Sequence, residues 1–202
     1  MITFAFSFFF PFLLVMAVAQ YAARLLGKNT CDLRLTLILG LVSFFIVVIP
    51  LKGVPLGRWL ISINANFSIP LTAVLFSKVW EKASHIELLD SKAFLSSWIF
   101  GLMVGLILYP MALGLGGFDP YGFGWGFSWL FVLLVAITVM LLYVKNRFGV
   151  VLIACILAYN LQVLESRNLW DYLVDPFFVL ISAAALSRWL IRGIVSRSRD
   201  TL

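Results

Sequence analysis

The sequence predicts an all-α fold, a polytopic transmembrane bundle of six or seven helices joined by short loops. Apolar residues make up 63% of the chain and charged residues only 12%, whereas a soluble domain is usually about 25% charged. The apolar residues are also grouped in seven runs, most of them close to the length of about 20 residues that a bilayer requires. These runs use nearly the whole length, so we treat residues 1–202 as a single integral membrane domain.

The first half of the chain contains three of the apolar segments. Residues 2–23 form the first. A cleaved signal peptide carries Lys or Arg before its apolar core, and this segment has none, so we expect it to be retained as a helix. Residues 33–50 form the second. The third, residues 56–76, is weaker because Asn64, Asn66 and Pro70 interrupt it. Such residues are costly when they face lipid, so this segment either crosses the membrane or re-enters it.

Four further segments follow, over residues 93–115, 126–144, 148–164 and 176–194. The last has the clearest start, because an aspartate followed by a proline is typical of a helix N-cap and first helical position. Asp175 and Pro176 supply that pair. The segment they begin is close to the length that a bilayer requires.

The distribution of Lys and Arg predicts the orientation. With seven spans and a cytoplasmic C-terminus, the outer side holds Lys52, Arg58 and Arg167. The inner side holds Arg24, Lys28, Arg34, Lys78, Lys82, Lys92, Lys145, Arg147, Arg188, Arg192, Arg197 and Arg199. This asymmetry agrees with the positive-inside rule and favours the bacterial inner membrane. A re-entrant third segment would move the N-terminus to the other side but leave every loop after residue 76 where it is.

Four acidic residues fall on the predicted outer side: Asp119, Glu165, Asp171 and Asp175. Carboxylates grouped in this way could bind a cation, an amine or sugar hydroxyls, or act as an acid and base on a lipid-linked substrate. The alternative is that they cap helices and solvate short loops, with Glu165 and Arg167 forming a local ion pair of little energetic value.

Aromatic residues are concentrated in the loop over residues 114–129, where they alternate with glycines. Tyr121 and Trp125 lie in this loop, and Trp170 lies in the last outer loop, "ESRNLWDYLVDP". Tyr and Trp favour the level of the lipid headgroups, so these residues could simply anchor the protein at the interface. They could also form a flexible lip that stacks on a sugar or headgroup, or that docks a partner.

A third candidate constellation consists of amides. Asn64 and Asn66 lie in the broken third segment, and Asn160 lies near the outer end of the sixth. Interrupted helices in membranes often line substrate or ion sites. We therefore consider a cavity in which these amides meet the last outer loop, called the acidic loop because it carries Glu165, Asp171 and Asp175. The alternative is a strip of polar contacts between packed helices.

Several classes of function lack support in the sequence. It contains no recognised hydrolase, metalloprotease or P-loop motif, and therefore no assignable catalytic residue. One histidine and two separated cysteines give no ligand set for a metal, and nothing indicates a cofactor. The net charge of +6 does not indicate nucleic acid, because cationic residues collect at the cytoplasmic side of membrane proteins.

Two interpretations remain. In the first, the chain is a non-catalytic subunit or partner protein of the bacterial inner membrane, with a cytoplasmic C-terminus. Its aromatic and acidic outer face would contact another membrane or periplasmic protein, or a lipid headgroup. In the second, it is a small transferase or translocator that acts on a lipid-linked or sugar substrate at the outer leaflet, through Glu165, Asp171 and Asp175 with Arg167.

Overall fold

The structure is a computed structural model that describes residues 2–200, without the side chains of residues 2, 4, 5 and 194–200. The predicted inner arginines Arg197 and Arg199 therefore have side chains outside the described residues. The all-α prediction is confirmed, since 72% of the chain is helical. The helices are α1 (Ile2–Leu25), α2 (Leu33–Val48), α3 (Leu56–Ile61), α4 (Ile69–Ser84), α5 (Ser91–Ala112), α6 (Trp129–Tyr143), α7 (Phe148–Asn160), α8 (Leu169–Leu173) and α9 (Pro176–Asp200), with a 3-10 turn at Pro120–Gly124.

Fewer helices than predicted have the length of a membrane span. Among the described residues, three stretches are long and apolar enough to cross a bilayer: Phe6–Leu25, Ser91–Ala112 and Pro176–Gly193. Helices α2, α6 and α7 are apolar but have only 16, 15 and 13 residues. At a rise of about 1.5 Å per residue they are about 20–24 Å long, against about 30 Å for the bilayer core. Helix length alone therefore does not support six or seven spans.

The predicted third segment, residues 56–76, is not one helix. It divides into α3 and α4, which are separated by the irregular residues 62–68. The side chain of Asn64 accepts a hydrogen bond from the Asn66 backbone at 3.2 Å, and Ser68 caps α4 by accepting from the Leu71 backbone at 3.4 Å. Helix α4 then continues to Ser84, beyond residue 76 where the predicted third segment ends.

A small β-hairpin, which the sequence analysis did not anticipate, connects α2 to α3. Strands β1 (Pro50–Leu51) and β2 (Val54–Pro55) pair in antiparallel fashion. Lys52 and Gly53 between them both have positive φ angles, of 53° and 81°, as a two-residue type I′ turn requires. The predicted second helix ends at Val48 because the chain turns into this hairpin.

Bonds between sequence-distant loops define two ends of the molecule. At the first, which we call the platform end, Thr3 Oγ1 donates to the Gln162 carbonyl at 3.0 Å and the Ser68 backbone donates to Asp175 at 2.9 Å. At the second, which we call the basic end, Cys31 Sγ donates to the Lys82 carbonyl at 3.1 Å. The loops at residues 85–90 and 144–147 also meet there, since the Arg147 guanidinium donates to the carbonyls of residues 87 and 88.

Seven helices run alternately between these two ends. Helices α1, α4, α6 and α9 begin at the platform end, whereas α2, α5 and α7 begin at the basic end. The hairpin, α3, the 3-10 turn and α8 do not run between the ends and belong to the platform end. The four acidic residues predicted for the outer side therefore lie at the platform end. The Lys and Arg residues predicted for the inner side lie toward the basic end, as far as their side chains are described.

Helices α5 and α9 pack closely along a stripe of small residues. Ser97, Gly101 and Gly105 follow one another at four-residue spacing on α5, and all three are buried. A Cβ atom built on Gly101 would overlap Ser182 and Phe178, and one built on Gly105 would overlap Val179. The two backbones therefore approach at a distance that only glycine permits, a packing mode typical of membrane helices.

Large apolar side chains lie both inside and outside the bundle. Tyr172, Phe148 and Phe178 are fully buried. Many others are exposed on the outer faces of the helices, among them Leu37 and Phe45 of α2 and Leu106 of α5. Water-soluble monomers rarely expose contiguous apolar surface on this scale.

Candidate functional site

The platform end is organised around Asn168, which is fully buried. Its Oδ1 accepts from the Trp170 backbone at 3.0 Å and so caps α8, while its Nδ2 donates to the Tyr121 carbonyl at 3.0 Å. Gly124 lies so close that a Cβ there would overlap the Asn168 amide. One side chain thus ties the aromatic loop to the last outer loop. Sequence reasoning did not single it out, although Asn168 with Asp171 three residues later has the spacing of a capping motif.

Trp170, Tyr121 and Asp171 come together across the same two loops. Trp170 Nε1 donates to the Pro120 carbonyl at 2.9 Å, and the Tyr121 hydroxyl donates to Asp171 Oδ2 at 3.0 Å. Partial burial and the Asp171 carboxylate raise the pKa of Tyr121 to about 12. The phenol therefore stays protonated and keeps donating this bond at neutral pH. The bonds of these three predicted site residues hold the two loops of the platform together.

Asp175 has a structural role as well. The residue is 2% exposed, and its Oδ1 accepts from the backbones of Phe177 and Phe178 at 2.9 and 3.1 Å. This confirms the predicted N-cap of α9. Its Oδ2 accepts from the Ser68 backbone at 2.9 Å, which joins α9 to the start of α4. Burial raises the pKa of Asp175, while these donors act in the opposite direction.

The candidate amides are only partly brought together. Asn66 Oδ1 accepts from the Ser166 backbone at 3.2 Å, so the broken third segment does contact the acidic loop. Asn64 bonds to Asn66, and its Nδ2 is buried without a partner among the described residues. Asn160 is exposed, and its Nδ2 donates a hydrogen bond to the Ile156 carbonyl of its own helix at 2.9 Å. Among the described residues, no hydrogen bond joins Asn160 to Asn64 or Asn66.

Asp119 also lies apart from the other acidic residues. It is exposed, and its carboxylate accepts from the Tyr121 backbone at 2.9 Å, where it caps the 3-10 turn. Glu165 and Arg167 are exposed too. They do not form the ion pair considered above with each other.

Glu165 and Arg167 line a wide depression in the platform end. Its volume is about 700 Å³, and it is open to the outside. The lining combines both charges with polar and aromatic groups, namely Thr3, Tyr159, Gln162 and Trp125. Of the eleven residues predicted for a site, only Glu165, Arg167 and Trp125 line this depression.

An apolar groove lies beside the depression, between α1 and α7. Its volume is about 590 Å³. Phe6 and Phe9 form one wall, and Ala154, Leu157 and Ala158 form the other. No pattern in the sequence predicts this groove, because both helices are apolar on all sides and their placement depends on the packing of each against α4.

Comparison with known proteins gives no assignment. No protein-family model matches this chain, and no curated protein or solved structure is detectably similar to it. Within the described part of the chain, no three His, Cys, Asp or Glu residues are placed to hold a metal ion. Function is therefore inferred from the geometry of the platform end.

Proposed function

We propose that the chain is a multi-pass membrane protein in which all seven alternating helices cross the bilayer. The three long helices support this directly by length and composition. The four shorter ones run between the same two ends. Helices α2, α6 and α7 expose mainly apolar side chains, whereas most residues of α4 are buried or half-buried. Local thinning of the bilayer and flanking polar residues accommodate short spans at modest cost. Residues 56–61 then lie at the platform end, and Ile69–Ser84 supplies the third crossing.

The positive-inside rule assigns the basic end to the cytoplasm. That end collects the loops that carry Lys28 and Arg147, the last turn of α4 with Lys82, and the C-terminal half of α9. The platform end then faces the extracytoplasmic side of a bacterial inner membrane, and both the N-terminus of α1 and the last loop lie there.

For the activity, we propose that the platform end recognises a lipid headgroup without catalysis. The observation that carries this proposal is the depression at the rim of the bundle, with the apolar groove beside it. Lipid sites combine these two features, because the headgroup needs polar partners and the chain needs an apolar surface.

The transferase or translocator interpretation has weaker support. An acid and a base that act on one substrate must both reach it. Asp171 and Asp175 are already bonded within the platform, and neither of them lines the depression. Glu165 is the only one of the proposed catalytic carboxylates that lines it.

A second candidate function is docking of an envelope protein. Phe127 is 83% exposed and Phe118 is 55% exposed at the platform end. Exposed aromatic side chains of this kind are enriched in protein interfaces.

Site-specific photo-cross-linking tests the proposed function. We would introduce p-benzoylphenylalanine in place of Trp125, which lines the depression, and in place of Tyr143, an aromatic residue 87% exposed near the basic end. We expect a discrete lipid adduct at position 125 in native membranes and only a mixture of bulk lipids at position 143. The same lipid mixture at both positions would contradict headgroup recognition, and a discrete protein adduct at 125 would favour docking instead.

A further inference from the structure

The depression and the apolar groove lie next to each other along α1. A small crevice lies between them and shares lining residues with each. Thr3 and Glu165 line both the crevice and the depression, while Phe6 and Val163 line both the crevice and the groove. A molecule seated here would therefore touch polar groups at the rim and only apolar groups farther down the bundle, which is the polarity of a membrane lipid.

The two charges of the depression are held apart on a fixed backbone. Between Glu165 and Arg167, the Ser166 backbone donates to Asn66 Oδ1 at 3.2 Å. Next to Arg167, the Asn168 backbone donates to Ser166 Oγ at 3.0 Å, and the Asn168 side chain is tied to the aromatic loop. The segment that carries both charges is thus anchored on each side.

Glu165 and Arg167 are both exposed and make no ion pair with each other. A ligand with one positive and one negative group could pair with both of them at once. An anionic ligand would satisfy the arginine and be repelled by the glutamate.

We propose that this site binds a zwitterionic phospholipid, a specificity that rests on the headgroup recognition proposed above. Glu165 pairs with the cationic group of the head, Arg167 pairs with the phosphate, and one acyl chain lies in the groove between α1 and α7. Arginine is well suited to the phosphate, since its guanidinium can donate two parallel hydrogen bonds.

The test is lipid retention in nanodiscs that contain equal amounts of phosphatidylethanolamine, which is zwitterionic, and phosphatidylglycerol, which is anionic. The full-length protein is transferred to mild detergent, and the retained lipid is identified by mass spectrometry. We expect the wild type to retain the zwitterion in excess. Glu165→Gln should lower that excess by about two- to fivefold, the effect expected from an exposed ion pair, and Arg167→Gln should lower retention of both lipids. Glu87→Gln, an exposed glutamate at the basic end, should change neither quantity.

A second pair of variants tests the groove. Ala154→Phe would fill it, whereas Ile153→Phe places the same ring on the same helix outside the groove lining. We expect Ala154→Phe to abolish retention of either lipid and Ile153→Phe to leave it unchanged, with equal melting temperatures showing that both variants fold. If Glu165→Gln retains the same excess of phosphatidylethanolamine as the wild type, the zwitterionic specificity is overturned, while headgroup recognition stands. Absence of any retained lipid in the wild type would overturn both proposals.

Discussion

Replacing Asp175 by alanine is expected to lower the free energy of unfolding by about 2–4 kcal/mol. The carboxylate is buried and accepts hydrogen bonds from three backbone N–H groups, those of Ser68, Phe177 and Phe178. Loss of a helix N-cap costs about 0.5–2 kcal/mol, and each buried N–H left without a partner costs about 1–3 kcal/mol when water cannot reach it. Thermal unfolding in detergent measures the effect as a lower melting temperature.

Asp119→Ala is the matched control for this variant. Asp119 also caps a turn at the platform end, but it is exposed and accepts only one backbone bond, from Tyr121. Water can replace that bond, so we expect a change of about 0.5 kcal/mol or less. Asp175→Asn keeps one acceptor oxygen and should fall between the two. Equal melting temperatures for Asp175→Ala and Asp119→Ala would show that Asp175 does not join α9 to α4.

Replacing Gly105 by alanine is expected to destabilise the bundle by about 1–3 kcal/mol, the usual cost of overpacking. The new methyl group would overlap the side chain of Val179 across the α5–α9 contact. The helices would have to separate, and the contacts of the buried Phe178 beside Gly101 would be lost with them. Unfolding in detergent under increasing denaturant measures the loss.

Gly40→Ala supplies the control for packing. Gly40 lies in α2, and a Cβ there would meet no atom within 4 Å. Alanine favours a helix over glycine by about 1 kcal/mol, so this variant should be neutral or slightly more stable. Both variants gain the same helix propensity, so the difference between their free energies of unfolding measures the cost of overpacking at Gly105. A Gly105→Ala protein as stable as Gly40→Ala would mean that α5 and α9 are not in close contact.

Long apolar runs with clear boundaries could be predicted well from the sequence. The first helix was expected over residues 2–23 and extends over Ile2–Leu25, and the last begins at Pro176 because Asp175 caps it. Boundaries set by polar turns were less accurate. The interruption in the third segment was recognised, but the position where the helix restarts depends on the side-chain bonds of Asn64 and Ser68.

The candidate site was predicted less well, for a physical reason. Helices that are apolar on every side do not reveal which face is buried, so the packing of α5 on α9 and of α1 and α7 on α4 could not be foreseen. Hydrogen bonding then decided the role of each polar residue. Asp171 and Asp175 are bonded within the platform, whereas Glu165 and Arg167 stay exposed beside the depression. Residues of the same type thus differ in exposure and hydrogen bonding because of partners that are distant in sequence.

Cysteine accessibility tests most directly whether the platform end lies outside the cell and the basic end inside. Single cysteines would replace Glu165 and Glu87, two exposed glutamates at opposite ends, in a protein that carries Cys31→Ser and Cys155→Ala. A membrane-impermeant maleimide is then added to intact spheroplasts. We predict labelling of Glu165→Cys before permeabilisation and of Glu87→Cys only after it. Labelling of Glu165→Cys only after permeabilisation would contradict the orientation and, with it, headgroup recognition at the extracytoplasmic surface.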